Sequence, residues 1–397
     1  MLLVSAALIL VMTAPGQTAG LSVFTDPLIT ELGVTRTDIS ISYLVGTLAG
    51  AAVQPMIGRA LDRWGVRSVT VTLGAVFAAI LLALSFVGEI AGLTAGFAGV
   101  RMVGQGALTL AATTAVARAI HHRRGLALGV TSAVGSAGIS LAPILLERLI
   151  AAVGIHAAWR WEAAVVAGVV IPLAFAFPRR IPRDRIVEPT TAQIALDDAS
   201  WTLAQTRKTG MFWVIAASLA TSGMLTTGLA FHQIAILGEQ GLSPLEAAAN
   251  FLPQTLTGIL ATMLTGSLID RASPKIFVVF SMITLAGALL MLPLVSSGWA
   301  AILYGLVLGA AGGSLRGMEA AAYVRYFGTT HIGSIRGVAM SISLASTALG
   351  PLALSLGLDL TGGFTVPTQV LAVIPIAVSV VALFVRPPRQ RLTLASE

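Results

Sequence analysis

Apolar stretches long enough to cross a bilayer recur along the whole of this chain. That recurrence constrains its fold more than any other feature. Val69 to Val87 and Ile276 to Leu294 are two of them. The hydrocarbon core takes roughly 20 apolar residues per helix, and only helices and closed barrels satisfy their backbone groups there. These segments show no barrel-type alternation, so helices are predicted. Charge agrees. Only 10% of the 397 residues are charged, against about 25% in soluble domains. So little charge cannot cover a water-soluble surface, and the bilayer must be the solvent.

The pattern predicts twelve spans, at 2–24, 37–58, 67–88, 93–117, 125–147, 160–178, 210–237, 245–268, 275–295, 299–324, 335–358 and 366–385. The expected fold is therefore an all-α membrane protein of twelve transmembrane helices. Its connections are short except for 179–209, a polar stretch bearing Pro182 and Pro189. That stretch separates an N-terminal six-helix half (1–178) from a C-terminal one (210–397). Its end holds Trp201, Leu203 and Ala204 beside Arg207 and Lys208, which reads either as a short surface helix or as plain linker. Met1 to Val11 has no basic n-region, so it reads as the start of the first span rather than a signal peptide. A true start upstream of Met1 stays open.

Positive charge gives the orientation. With the N-terminus inside, the inside loops hold 19 of the 24 Lys and Arg residues, from Arg59 to Arg391. The outside loops hold three, Arg36, Arg148 and Arg160, while Arg101 and Arg316 lie within spans. Such asymmetry is the positive-inside signal. It predicts both termini on the cytoplasmic side of the cell (inner) membrane. It also explains the net charge of +7 without nucleic acid as a partner.

The two halves repeat. Gly58-x-x-x-Asp62-Arg63-x-x-x-Arg67 after span 2 is echoed by Gly266-x-x-x-Asp270-Arg271-x-x-x-Lys275 after span 8, at an offset of 208. The same offset pairs Thr13 with Thr221, Thr18 with Thr226, Gly20 with Gly228 and Asp38 with Glu246. A repeat of six spans keeps both halves in one orientation, related by a pseudo-two-fold axis along the membrane normal.

These motifs resemble the major facilitator superfamily over nearly the whole chain. The duplicated loops resemble its signature loop, and Arg101-x-x-Gly104-x-Gly106 resembles its intramembrane arginine motif. Pro15-Gly16-Gln17-Thr18, Arg123-Arg124-Gly125-Leu126-Ala127, and Tyr326-Phe327-Gly328 through Arg336-Gly337 to Leu349-Gly350-Pro351 are similar to the bacterial monocarboxylate and oxalate–formate branch. The resemblance implies the major facilitator fold and alternating access between rocking halves. It further implies that spans 4 and 10 line a central cavity, and that Asp62, Arg63, Arg67, Asp270, Arg271 and Lys275 take part in gating.

No HExxH, GxSxG or phosphate-binding glycine loop is present. The five histidines do not cluster, and there is no cysteine. An enzyme, a metal site and a cofactor are therefore not expected. Ionisable residues inside a bilayer cost about 3 kcal/mol each even on the lenient scale, which singles out Arg101, Arg316 and Glu319. The functional reading gives the arginines an anionic solute and Glu319 a proton. The structural reading lets Arg316 and Glu319, three apart on one helix, satisfy each other. Gln17 and Thr18 follow the Pro15-Gly16 break near mid-membrane, a helix interruption of the kind found at transporter sites and at packing kinks. His232 can titrate near neutrality or sit hydrogen-bonded in an outer vestibule. Tyr43, Gln54, Asn250 and Gln254 are further polar candidates. Gly46-x-x-x-Gly50 and Gly305-x-x-x-Gly309 permit close helix contact, expected within one chain, so the functional unit is expected to be a monomer.

The chain departs from the branch it resembles. Span 8 has no Lys or Arg between Leu245 and Leu268, span 1 has none, and span 11 has none after Arg336. Gly135, Gly138 and Pro143 do not complete the antiporter motif of span 5. The leading expectation is a proton-coupled or exchange carrier of a small organic anion such as a monocarboxylate. A drug or metabolite efflux antiporter is the alternative, and a non-transporting membrane sensor a third.

Overall fold

The computed structural model describes residues 1–120, 124–177, 201–269, 271–328 and 331–388, all of them helix or short connection. Among these residues, nine helical stretches are long and apolar enough to cross a membrane. One of the nine, Arg124–Ala174, contains two spans, because Gly154 breaks it with φ 78° and ψ 167°. Two further spans are interrupted and so escape a simple length test. Span 4 passes from Ile90–Val100 through a π-helix, Arg101–Leu108, into Thr109–Ala119. Span 8 joins Pro244–Ala249 to Phe251–Leu268. Counted this way, the described residues are consistent with twelve spans.

Several helices run past their apolar cores. Span 1 continues beyond 24 to Leu32, after a break at Ala14–Gly16 where Pro15 and an extended Gln17 (φ −83°, ψ 153°) interrupt the ladder. Span 2 is Arg36–Trp64 and span 3 Val66–Leu84. Span 7 is Gly210–Phe231 with Gln233–Glu239 continuing it, span 9 is Pro274–Met291, and span 10 Trp299–Phe327. Span 11, Ile332–Thr361, starts a few residues before the predicted 335 and holds Arg336, counted with the inside charges, in its first turns. Span 12 is Thr365–Leu371 with Val373–Phe384. The extra turns at the ends are polar. A helix end can carry them because its side chains reach the interface while the backbone stays bonded within the helix.

The repeat is visible in bonds as well as letters. Thr35 and Asp38 form a capping box at the start of span 2, and Ser243 and Glu246 form the same box at the start of span 8. At the other end, Arg118 donates to the Leu61 carbonyl at 3.4 Å and Arg325 to the Ile269 carbonyl at 2.8 Å. Both the caps and the carbonyls lie 208 residues apart.

Within the halves, span 2 packs on span 4, span 8 along span 10, span 7 along span 11, and span 3 on the span 5–6 helix, with Gly74 against Val170 of span 6. Between them, span 2 meets span 11, span 8 meets the span 5–6 helix, and span 1 meets span 7. Glycines permit the closest approaches. A Cβ at Gly16 would sit 2.3 Å from the Val100 carbonyl, and one at Gly309 2.1 Å from that of Gln254. The Gly46/Gly50 and Gly305/Gly309 faces are thus occupied by spans 4 and 8 of the same chain.

Candidate functional site

Arg63, Arg67, Arg118 and Arg325 all lie at one end of the bundle, called here the basic end. The other is the distal end. Every hydrogen bond and ring contact between the halves, among the described residues, lies toward the distal end. Thr37 Oγ1 donates to Asp359 at 2.7 Å, the Tyr43 and Phe231 rings lie 4.5 Å apart, and the Arg36 guanidinium stands 5.8 Å from the Phe364 ring centre. These contacts form a seam of spans 2, 7, 11 and 12.

Arg101 is buried at 3% exposure. The span 1 break brings the Gly16 carbonyl to its Nη1 at 3.2 Å and Thr18 Oγ1 at 3.3 Å, while Thr47 accepts from Nε at 3.1 Å. The guanidinium lies 4.4 Å from the Tyr43 ring centre, and the Tyr43 hydroxyl meets Thr18 at 2.7 Å. Gln17 turns away and donates to Thr13 at 3.0 Å. The Pro15-Gly16 break therefore serves to aim a backbone carbonyl at a buried cation.

Arg316 differs in every respect. It is solvent-accessible, and no hydrogen bond or ion pair holds it among the described residues. Its guanidinium lies over Gly258 of span 8, where a Cβ would come within 3.0 Å of Nη2. The local pairing with Glu319 does not form. Glu319 Oε1 instead accepts from Arg336 of span 11, at 3.1 Å from Nη2 and 3.3 Å from Nε. An i,i+3 pair competes poorly when a neighbouring helix presents a fork at the right height. Glu319 borders a cavity of about 350 Å³ with Leu219, Met340, Ser343 and Thr347. Three residues on a helix turn through 300°, so Arg316 points within about 60° of Glu319's direction.

The other candidates are tied into packing. His232 is buried, donates from Nε2 to the Pro351 carbonyl at 2.9 Å, and lies 5.3 Å from the Phe364 ring. Gln254 donates to Gln233 at 2.8 Å and to Asn250 at 3.0 Å. Asn250 in turn donates to the Ala301 carbonyl at 2.6 Å. This amide chain joins spans 7, 8 and 10. Gln54 hydrogen-bonds, among the described residues, only within its own helix, at 3.5 Å from the Gly50 carbonyl, while its amide packs against Gly106 of span 4.

At the basic end, Asp62 pairs with Arg118 of span 4 rather than with Arg63, Arg67, Arg271 or Lys275. Arg63 lies against Trp64, and Arg67 stands 4.5 Å from the Phe175 ring. Lys275 caps the end of span 12, donating to the Leu383 carbonyl and to that of Val385 at 3.2 Å. Arg271 makes no hydrogen bond or ion pair among the described residues, and Asp270 lies outside them. The proposed surface helix reduces to a single turn, Leu203–Thr206, anchored by the Trp201 amide donating to the Phe327 carbonyl at 2.9 Å.

One residue escaped the sequence reading. Glu162 in span 6 is 8% exposed, and its Oε2 has no hydrogen-bond partner among the described residues. At the start of a predicted span, between Trp161 and Ala163, it passes for an interfacial residue. The signal was its place three residues past Trp159, which stacks on Phe24 at 3.8 Å inside the bundle.

The repeated half, the duplicated loops and the inter-half seam agree with sequence comparison. The profile of the Major Facilitator Superfamily matches residues 6–351. The chain belongs to the major facilitator superfamily. As a superfamily member it is a multi-pass membrane protein and a secondary transporter of small solutes. No curated protein matches the chain. Among solved structures, the nucleoside transporter NupG is similar at a TM-score of 0.76 and 11% identity, over 96% of this chain and 98% of that one. An inward-facing, unoccupied bacterial homologue of the human lysosomal transporter Spinster is similar at a TM-score of 0.71 and 15% identity, over 96% and 95%. Likeness at such identity speaks for the superfamily fold alone.

Proposed function

We propose that this superfamily member moves a small organic anion of the monocarboxylate class across the cell membrane, with Arg316 as its anchor and Glu319 as its proton site. The observation that carries the reading is the Arg316 side chain, exposed as a residue and without a hydrogen bond or ion pair among the described residues, in the middle of a membrane helix. A cation there is expensive, and a bidentate carboxylate is the ligand that matches its fork. One unpaired guanidinium at this height of span 10, among the described residues, favours one carboxylate over two. A lipophilic cation is disfavoured, because Glu319 is already paired with Arg336.

The Glu319–Arg336 pair supports coupling. A solute carboxylate that draws Arg336 toward itself leaves Glu319 without its partner, and a proton is then its cheapest compensation. Solute and proton would thus enter together. The two halves, 1–178 and 210–397, would rock about the central path. The basic end is assigned to the cytoplasm with both termini, on the positive-inside argument. On that assignment the distal seam faces outward and is closed here. The glycine ridges are filled within the chain, which supports a functional monomer.

The test is uptake by reconstituted vesicles of labelled monocarboxylates, dicarboxylates and cationic dyes, with and without a pH gradient. Monocarboxylate uptake driven by an inward proton gradient, lost in Arg316→Gln and uncoupled from the gradient in Glu319→Gln, is expected. Wild-type dye flux with no carboxylate flux would exclude the anion reading, and no flux of any solute would exclude the carrier.

A further inference from the structure

Arg101 holds a second, independent feature of interest. It is a buried guanidinium with no carboxylate against it among the described residues. Its bonds are to a carbonyl and two hydroxyls, through Nε and Nη1. Nη2 has no partner among the described residues. Neutral acceptors and one aromatic face soften a buried cation, but they do not neutralise it.

What covers Arg101 is informative. Tyr43 lies on the guanidinium, and Phe231 of the other half lies on Tyr43. Both rings are fully buried. The cover is therefore shared between the halves, and it belongs to the distal seam. Beyond helix packing, the remaining hydrogen bond and ring contact of the seam among the described residues are one exposed bond, Thr37 to Asp359, and one cation–π contact, Arg36 to Phe364. A seam with so few directional bonds can part.

Height along the path is the other observation. Arg101 lies 11 residues from the distal start of span 4 at Ile90, and Arg316 lies 17 residues from the distal start of span 10 at Trp299. At 1.5 Å per residue, Arg101 stands about 9 Å nearer the distal end. Arg316 is accessible while the seam is closed, and Arg101 is capped by it.

We infer that Arg101 is a second carboxylate-binding position, masked by Tyr43 and Phe231 while the distal seam is closed and uncovered when it opens. This rests on the anion reading of Arg316 and extends it. The solute is received at one arginine from the distal side and released from the other toward the basic side, each cation being accessible in one state. The Gly16 carbonyl, Thr18 and Thr47 would hold Arg101 in place in both states, because all three lie in its own half.

The experiment uses the full chain in vesicles and phenylglyoxal, which modifies accessible guanidinium groups, with each site read by peptide mass spectrometry. The chain has no cysteine, so Thr37→Cys with Asp359→Cys introduces one disulfide across the seam. Arg101 is expected to stay unmodified in the oxidised pair, to react after reduction, and to react several-fold faster with Phe231→Ala. Acetate or benzoate should slow that reaction, while Arg316 reacts in the oxidised pair and no faster after reduction. Equal modification of Arg101 in both forms would overturn the mask. Modification that neither anion slows would overturn the binding position. Protection at Arg101 without protection at Arg316 would instead remove the Arg316 assignment and leave this one standing.

Discussion

Substituting Gly309 with alanine tests the packing on which the C-terminal half depends. A Cβ there would lie 2.1 Å from the Gln254 carbonyl oxygen and 2.2 Å from Thr257 Oγ1. Carbon and oxygen settle at about 3.3 Å or more, so spans 8 and 10 must part by roughly 1 Å at that point. A gap of that size forfeits about a quarter to a half of each pairwise attraction along the contact. Overpacking of this kind costs about 1–3 kcal/mol. Backbone yields less readily than a side-chain tip, which places Gly309→Ala toward the upper part of that range. The control is Gly287→Ala in span 9, where a Cβ meets nothing within 4 Å and helix propensity gains roughly 0.5–1 kcal/mol. Unfolding of the purified protein in mixed detergent, followed by tryptophan fluorescence, compares the two. If Gly309→Ala is as stable as Gly287→Ala, the close approach of spans 8 and 10 is wrong. Size-exclusion separates the dimer alternative: a glycine face used between chains would change the oligomer before the stability.

Two other outcomes are expected. Thr35→Ala and Ser243→Ala each delete the side-chain acceptor of a capping box and should each cost about 1 kcal/mol. The effects should add in the double variant because the sites share no partner, and a cap whose loss leaves unfolding unchanged contributes nothing. Asp62→Asn removes the ion pair with Arg118, which is exposed and worth at most about 1 kcal/mol. Membrane insertion should be intact and transport slower, whereas an unchanged uptake rate would remove Asp62 from gating.

Much of the fold was legible because a bilayer reads sequence simply. Length and apolarity located the spans, and the 208-residue offset located the halves. Asp38 and Glu246, paired by that offset alone, prove to be the same residue of the same cap. The site was less legible, because its bonds come from elsewhere in the chain. Arg101 reads as a free cation in its own span, yet its acceptors lie 54, 83 and 85 residues away. Glu319 has a cation three residues off and takes one 17 residues off instead. Local spacing states which pairs are possible. Only the packing of spans 10 and 11 decides which forms. Glu162 was lost for a related reason, since apolar windows treat a charge near a boundary as interface while helix rotation turned this one inward.

Two of the connections are a single residue long. Gly65 alone separates Trp64 from Val66, and Gly154 alone breaks the run from Arg124 to Ala174; both adopt positive φ, at 83° and 78°. A joint of one residue has no slack for the second helix to wait outside the membrane while the first settles. Spans 2 and 3, and spans 5 and 6, are therefore expected to be handed to the bilayer during synthesis as finished hairpins. The unit that the insertion machinery handles here is then the pair rather than the single helix.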